Sequence, residues 1–244
     1  MRLLLPPSET KLKGGLPATG PLTLSFPRQD EARTQLMSSL EQFCRDEPAK
    51  AAKALKLGPK SIDELGNNVF EGTPVMPAID RYTGVLYSET GVADWSTRDR
   101  KWAGEHVFIH SSLFGIVSAT DEIPNYRLSY DSKIAGVSLR DFWGGVVSAA
   151  IADMADGDWV LDCRSEGYRA LAPVPQGVES RYLDVVSASG GKALNHFNKI
   201  HKGDLVRHLV ESQPNIASAE SFADWALSVG MQVSVSTTAA ALAV

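Results

Sequence analysis

The fold prediction starts from residues 111–127, SSLFGIVSATDEIPNYR, in which an apolar run, an acidic loop and a polar stop follow one another. The apolar run is interrupted at Gly115, resumes, and leads through the acidic loop to Pro124. This order predicts a strand, a loop and a polar anchor, because core packing alone rarely requires it. An aromatic pair, Phe142 and Trp143, follows in LRDFWGG and is predicted to lie on the core side of a helix over residues 139–154.

Three further segments have the residue pattern of helices. Residues 30–44 carry apolar side chains at helical spacing, and Pro48 is expected to stop this helix. Residues 96–105 are predicted to form a charged surface helix, and a last helix over residues 218–229 is expected to end at Gly230.

The strands are predicted from their β-branched and aromatic content. They are residues 3–5, 107–110, 159–162, 181–186 and 231–237. Pro6-Pro7 ends the first of them, because proline cannot donate to the strand ladder. A turn over residues 187–191 is expected to lead into a long helix. The alternation predicts an α/β fold, a single compact domain over residues 1–244 with a central, mostly mixed sheet flanked by helices.

Residues 51–65 contain two helical halves that meet at Gly58-Pro59. Ser61 is expected to cap the second half, because its side-chain oxygen can accept a free backbone N–H. Such a helix-hairpin-helix-like element can present backbone amides to a phosphate without reading sequence. A plain helical turn is the alternative.

Composition restricts the class of protein. The 244 residues carry a formal net charge of −5, whereas domains that coat nucleic acid are usually strongly basic, so any nucleic-acid contact is expected from a local patch. The first apolar run is too short for a signal peptide, and no run reaches the roughly 20 apolar residues of a membrane helix, which predicts a cytoplasmic location. Of the two cysteines, Cys44 and Cys163, the second is either a reactive thiol or, as favoured here, a buried inert one.

Six segments occur in an order that is similar to one protein family. They are LLLPPSETK (residues 3–11), SLFGIV (112–117), PNYRLSY (124–130), FWGG (142–145), LDCRSEGY (161–168) and NKIHKGDLVRHL (198–209). Over most of its length the chain therefore resembles the YaaA family, the bacterial peroxide stress proteins. Two positions depart from the family pattern. Phe114 replaces a tyrosine, and Asp162-Cys163-Arg164 replaces an element that contains an asparagine.

The resemblance implies a response to hydrogen peroxide that limits oxidative damage to DNA and protein by lowering free intracellular iron. It also implies DNA binding through a positive cleft and a helix-hairpin-helix. Iron converts peroxide into hydroxyl radical, so either less iron or shielded DNA reduces damage. The sequence shows no iron site, and no metal or cofactor is predicted, so we expect any effect on iron to be indirect.

A basic helix over residues 192–208 supplies the DNA-binding candidates. They are Lys192, Lys199, Lys202 and Arg207. At helical spacing the three lysines share one face, which predicts a positive outer stripe on an acidic protein. A solvated charged face is the alternative, and Gly203 is a position at which the helix would break.

A second group of polar residues is predicted at strand ends, where α/β folds bind ligands. The candidates for this cleft are Ser8, Lys11, Ser112, Tyr126, Arg127, Ser165, Glu166 and Tyr168. Arg127 would hold ligand oxygens with two hydrogen bonds, and Glu166 would accept hydrogen bonds from ring N–H groups. This group supports an alternative function, an enzyme acting on a nucleotide or nucleobase-like small molecule. A structural role for Tyr126 and Arg127, in which they satisfy buried carbonyls, is equally open.

Other chemistry is not indicated by the sequence. It contains no G-x-S-x-G elbow, P-loop or dinucleotide fingerprint, so no catalytic residues are predicted. In HVFIH (residues 106–110) the two histidines are predicted to be structural, because the run has the pattern of a strand.

Overall fold

A computed structural model describes residues 1–134, 136–187 and 195–244, and strands and helices alternate along them. The strands are β1 (Arg2–Leu5), β2 (Val75–Pro77), β3 (Val107–Ser111), β4 (Gly115–Ser118), β5 (Glu122–Pro124), β6 (Lys133–Ile134), β7 (Val137–Ser138), β8 (Val160–Asp162), β9 (Ser180–Val186), β10 (Gln232–Val235) and β11 (Ala239–Ala243). The α-helices are α1 (Asp30–Asp46), α2 (Pro48–Ala54), α3 (Ala78–Arg81), α4 (Val85–Glu89), α5 (Thr97–His106), α6 (Leu139–Ala155), α7 (Glu166–Leu171), α8 (Asn195–Ser212) and α9 (Ala219–Ser228).

Seven of these strands form the central sheet, in the order β10-β11-β9-β8-β1-β3-β4. The five inner strands run parallel to one another, and β10 and β4 pair antiparallel at the two edges. The predicted α/β fold, a compact domain with a mixed sheet flanked by helices, is confirmed. Because β9, β8, β1 and β3 are parallel neighbours, their carboxyl ends meet at the same edge of the sheet.

The middle of the sheet is the centre of the core. Leu3 of β1 pairs with Val107 on one side and Leu161 on the other, and all three are fully buried. Parallel strands that are covered on both faces are apolar throughout, which is why short runs such as LLL were recognisable in the sequence.

Residues 107–118 form a hairpin rather than one interrupted strand. β3 and β4 pair antiparallel, and Gly115 begins β4 with a φ of +67°, in the left-handed region that favours glycine. The turn between them is held by Ser111, whose Oγ accepts the backbone N–H groups of Leu113 and Phe114.

The outer edge of β4 is covered by two side chains, that of Gln29, which directly precedes α1, and that of Arg33 in the first turn of α1. Gln29 accepts the N–H of Ile116 at 2.9 Å and donates to its carbonyl at 3.0 Å, as a neighbouring strand would. Arg33 donates to the carbonyls of Phe114 and Ile116. These contacts close the sheet edge, which would otherwise present unpaired backbone groups.

The helix predicted over residues 139–154 is confirmed as α6. Ser138 caps its start by accepting the N–H of Asp141. Trp143 is fully buried and donates its indole N–H to the carbonyl of Ser112 at 2.8 Å, so this aromatic residue is part of the core, as predicted. None of the helices in the described ranges is both long and apolar enough to cross a bilayer.

Two details near α1 and α2 differ from the prediction. Pro48 follows the end of α1 and also occupies the first turn of α2. Its missing N–H costs nothing there, because the first N–H groups of a helix have no partner within the helix. The predicted pair of helical halves over residues 51–65 consists of α2 and a 3-10 helix, Ile62–Asn68, so the helix-hairpin-helix is not confirmed. Ser61 makes no cap, since its Oγ instead exchanges hydrogen bonds with the backbone of Gly58.

The long helix predicted in the second half of the chain is α8, and the predicted break at Gly203 is wrong. The helix is continuous through Gly203, and the missing side chain there lets α8 pack closely against α4. A Cβ atom at this position would lie 2.2 Å from the carbonyl oxygen of Leu86. The predicted turn over residues 187–191 lies outside the described residues, apart from Ser187.

Candidate functional site

A cleft opens where the chain leaves β1 and β8. It consists of two adjoining cavities of about 390 and 480 Å³, here called the first and the second cavity, and together the strand-end cleft. Both are lined by Pro6, Leu86, Tyr130, Ser165 and Lys199. The combined space has the size typical of small-molecule sites, and it lies beyond the carboxyl ends of parallel strands, where α/β proteins bind ligands.

The first cavity is mainly apolar and aromatic. Its wall includes Tyr87, whose hydroxyl donates to the carbonyl of Pro6 at 2.7 Å and fixes the exit from β1. Tyr168 is buried, and its ring packs against that of Tyr130 with centroids 5.3 Å apart. Ser8 lies opposite Gly84, which has a φ of +98° and where a Cβ atom would approach the Ser8 Oγ to 2.9 Å. This cavity therefore offers mainly ring surfaces, with Glu9 and Lys199 as its charged lining residues.

The second cavity contains a buried cation. Lys202 is only 4% exposed, and its Nζ donates to the carbonyl of Cys163 at 3.0 Å. The same Nζ lies 5.1 Å from the centre of the Tyr182 ring. Burial lowers the pKa of Lys202, and the nearby Cys163, Asp162 and Asp184 act in the opposite direction. A buried ammonium group of this kind attracts anions strongly.

The charges around the second cavity are mixed. Lys199 and Lys202 line it together with the carboxylates Glu166 and Asp184. A ligand that carries both an anionic group and N–H donors matches such a lining better than a bare anion does.

Four of the eight predicted cleft residues line the strand-end cleft. These are Ser8, Ser165, Glu166 and Tyr168. Their meeting follows from the parallel arrangement of β1 and β8, which places both strand ends side by side.

Tyr126 lies behind the cleft, in the core. Its hydroxyl is hydrogen-bonded to Ser111 Oγ at 2.9 Å and to the Tyr82 hydroxyl at 2.8 Å, and burial raises its pKa. Ser112 is also buried and donates to the carbonyl of Leu128. Both side chains thus have internal partners, and those of Tyr126 are hydroxyl groups rather than the buried carbonyls of the structural alternative.

Arg127 is likewise held away from both cavities. Its guanidinium lies 3.1 Å from Glu9 and 3.6 Å from Glu64. Its backbone N–H and carbonyl both bond the side chain of Asn68. In this arrangement the Arg127 guanidinium pairs with carboxylates and lines neither cavity, so its grip on a ligand stays a prediction.

Lys11 lies next to this group. Its Nζ donates to the carbonyls of Ser8 and Glu9 and lies 4.1 Å from the centre of the Tyr126 ring. Burial lowers the pKa of Lys11 to about 7, against a smaller opposing effect of Glu9. Lys11 therefore supports the loop that forms one wall of the first cavity.

The predicted positive outer stripe does not form as expected. Lys202 points inward, because the face of α8 that carries it packs on the sheet, while Lys199 remains exposed at the cleft. Arg207 pairs with Asp204 and lies 3.8 Å from Glu211. Lys192 lies outside the described residues.

A buried charge cluster below the cleft was missed by sequence reasoning. Arg164 is fully buried and binds Asp162 through Nε and Nη2 at 2.9 and 2.8 Å. Its Nη1 lies 3.0 Å from His110 Nδ1. Burial, and to a smaller extent the positive charge of Arg164, lowers the pKa of His110 well below its usual value. The only signal was the DCR sequence, which departs from the family pattern. The cluster fixes the chain between β8 and α7.

The two cysteines and His106, the other residues weighed for thiol or metal chemistry, lie among partners that give them a structural role. Burial raises the pKa of Cys163 to about 12, and burial also raises the pKa of Cys44. His106 stacks on Trp102 and bonds the carbonyl of Met1 at 3.0 Å. Within the described ranges, no group of three or more histidine, cysteine or acidic side chains is arranged to hold a metal ion.

Comparison with known proteins gives consistent matches along the chain. A family model described as peroxide stress protein YaaA matches residues 1–228. A UPF0246 protein of Corynebacterium glutamicum is 38% identical over 242 residues, which are 96% of this chain and 94% of that protein. A UPF0246 protein of Corynebacterium efficiens is 36% identical, with 96% and 95% covered, and one of Streptomyces coelicolor is 34% identical, with 86% and 83% covered.

Proposed function

Because this chain belongs to the family of peroxide stress protein YaaA, with a role in peroxide stress, we propose that it acts in that response through a small anionic ligand held in the strand-end cleft. The observation that carries the proposal is the buried ammonium of Lys202 on the wall of a cavity of about 480 Å³. A buried charge is costly unless it is paired, and a ligand anion would pair it.

The strand-end cleft also supplies the other parts of a binding site. Ring surfaces line the first cavity and carboxylates line the second, so a planar ligand with N–H donors finds partners in both. Binding rather than catalysis is proposed. The enzyme alternative depends on Lys11, Arg127 and Glu166 acting together on the ligand. Glu166 lines the second cavity, whereas the side chains of Lys11 and Arg127 are engaged by loop carbonyls and carboxylates.

The test is to fill the cleft without disturbing the fold. Ser165 is exposed, lines both cavities and makes no side-chain cap at the start of α7, so Ser165→Trp should fold. In cells that lack the protein, this variant should fail to restore survival in hydrogen peroxide. The matched control is Ser39→Trp, at an exposed position of α1, which should restore survival fully. Full protection by a folded, normally abundant Ser165→Trp protein would refute the role of the cleft.

A second candidate function is DNA binding that shields DNA from oxidation. It is favoured by four exposed lysines around α2 and the following turn, which are Lys50, Lys53, Lys56 and Lys60. Lys50 pairs with Glu47 and Lys56 with Asp131, so the positive field of this segment is partly neutralised. Clustered lysines contact phosphates without reading sequence.

Binding of labelled duplex DNA, intact and bulged, across a salt series tests this candidate. Binding should weaken steeply with salt, and Lys53→Gln with Lys60→Gln should reduce the slope of log K against log salt by about 2. The paired change Lys13→Gln with Lys101→Gln, at two exposed positions outside the cleft and the α2 segment, is the control for charge number. No binding at low salt would exclude DNA as a partner.

We also propose that any lowering of free iron is indirect. The support is the lack of a metal-binding cluster within the described ranges. Equilibrium dialysis of the purified protein against ferrous iron without oxygen should show no stoichiometric binding, and one tightly bound iron per chain would overturn this proposal.

A further inference from the structure

Resting on the proposed function, we propose that the ligand of the strand-end cleft is a nucleotide, whose phosphate binds between Lys202 and Lys199 and whose base stacks on Tyr130. This assigns the anion site to α8 rather than to Arg127, and it gives the two cavities different tasks.

Lys202 is the buried cation of the proposed phosphate site. A lysine ammonium has three N–H donors, and one of them bonds the carbonyl of Cys163. The Tyr182 ring lies near a second face of the group. Among the described residues, no carboxylate lies within ion-pair distance of this Nζ, although Lys202 is 4% exposed. The remaining donor capacity therefore faces the second cavity.

Two lysines of α8 line the second cavity. Lys199 precedes Lys202 by three positions on α8, so the two side chains lie on the same side of the helix. Lys199 lines both cavities, and Lys202 lines the second. Two ammonium groups match the nearly double negative charge of a phosphate monoester, whereas a carboxylate carries a single charge.

The Tyr130 ring is the surface on which the base would stack. Tyr130 lines both cavities and is 38% exposed, with one side supported by Tyr168. Gly167 makes room for it, because a Cβ atom there would lie 2.4 Å from ring carbons of Tyr130. A supported, accessible aromatic ring beside a phosphate site is what base stacking requires.

The carboxylates of the second cavity distinguish a nucleotide from a small free anion. Glu166 and Asp184 line the same second cavity as the lysines. They disfavour a small free anion, which would meet two negative groups, and they offer acceptors to the exocyclic or ring N–H groups of a base. The site is thus expected to prefer a whole nucleotide over inorganic phosphate.

The experiment is calorimetric titration of the full chain with the four common nucleoside 5′-monophosphates, the matching nucleosides and inorganic phosphate. At least one monophosphate should bind at least tenfold more tightly than its nucleoside and than inorganic phosphate. Lys202→Met should remove the difference between nucleotide and nucleoside. Tyr130→Ser should weaken both to a similar extent. The control Lys101→Met, at a residue whose side chain is 78% exposed on α5, should change neither.

Three results would overturn the inference. They are no binding of any monophosphate by the wild-type protein, equal affinity of nucleotide and nucleoside, or unchanged nucleotide affinity in Lys202→Met. If Lys202→Met does not fold, Lys199→Met takes its place, because Lys199 is exposed and its replacement should leave the fold intact. The inference then requires a severalfold loss of nucleotide affinity in Lys199→Met. The peroxide survival of Ser165→Trp is read separately, so loss of protection there with no effect of the lysine changes would refute the nucleotide but retain the cleft.

Discussion

Replacement of Gly203 by alanine tests the packing that holds α8 beside the cleft. Alanine favours a helix over glycine by about 1 kcal/mol, so sequence preference alone predicts a more stable protein. The added Cβ atom would lie 2.2 Å from the Leu86 carbonyl oxygen and 2.6 Å from Glu89 Cβ. It must move by about 1 Å to reach ordinary contact, and because the obstacle is backbone, α4 and α8 must separate. Overpacking of this kind costs about 1–3 kcal/mol and sometimes more, which outweighs the helix preference.

The assay is urea denaturation of Gly203→Ala and Gly145→Ala in parallel. Gly145 lies within α6 and a Cβ atom there meets nothing within 4 Å, so its replacement should raise the free energy of unfolding by about 0.5–1 kcal/mol. Gly203→Ala should lower it, and the melting temperature should fall by about 2–4 °C per kcal/mol lost for a chain of this size. Equal stabilisation by the two changes would show that the close contact of α8 with α4 is not a constraint.

Further predictions concern the buried groups. Asp162→Asn should destabilise the protein by about 3–5 kcal/mol, because it leaves the buried Arg164 without its charge partner. The control Asp204→Asn, in a more exposed ion pair, should cost about 1 kcal/mol or less. Similar losses of stability in urea denaturation of the two variants would contradict this. Native protein with Cys44→Ser should react slowly with a disulfide reagent at pH 8, since the pKa of Cys163 is raised to about 12 by burial, and rapid stoichiometric labelling would refute this. The free energy of unfolding should rise with pH between about 7 and 10.5, because in this range the unfolded chain still binds the Lys11 proton that the folded chain has released. Lys11 contributes at most about 1.4 kcal/mol per pH unit to this slope, so the slope should be flatter in Lys11→Met. Equal slopes in the two proteins would refute the assignment.

The main elements of the fold follow from local sequence. The strands β1, β3 and β8 were recognisable because parallel strands buried on both faces are continuously apolar. The helix α6 was recognisable because its apolar residues recur at helical spacing. The turn between β3 and β4 was not recognisable. It depends on the side chain of Ser111, and the run of apolar residues continues through it.

The candidate site was only half accessible to sequence reasoning. Ser8 and Ser165 follow strand ends, and the parallel sheet brings such ends together, so their meeting was predictable. The ion pairs of Arg127 were not predictable, because Glu9 and Glu64 are distant from it in the sequence and no local pattern indicates them. Lys202 was assigned to an outer stripe because helical spacing groups residues by face but does not say which face is buried.

The sequence by itself determined the α/β class, the order of strands and helices and the family resemblance, because these depend on residue patterns within short segments. Only the tertiary structure decided which charges are available. Arg127 and Arg164 are neutralised by carboxylates, whereas Lys202 is buried at a cavity with a carbonyl as its hydrogen-bond partner. The physical reason is that pairing and desolvation are set by neighbours in space, and these neighbours come from strands and helices far apart along the chain.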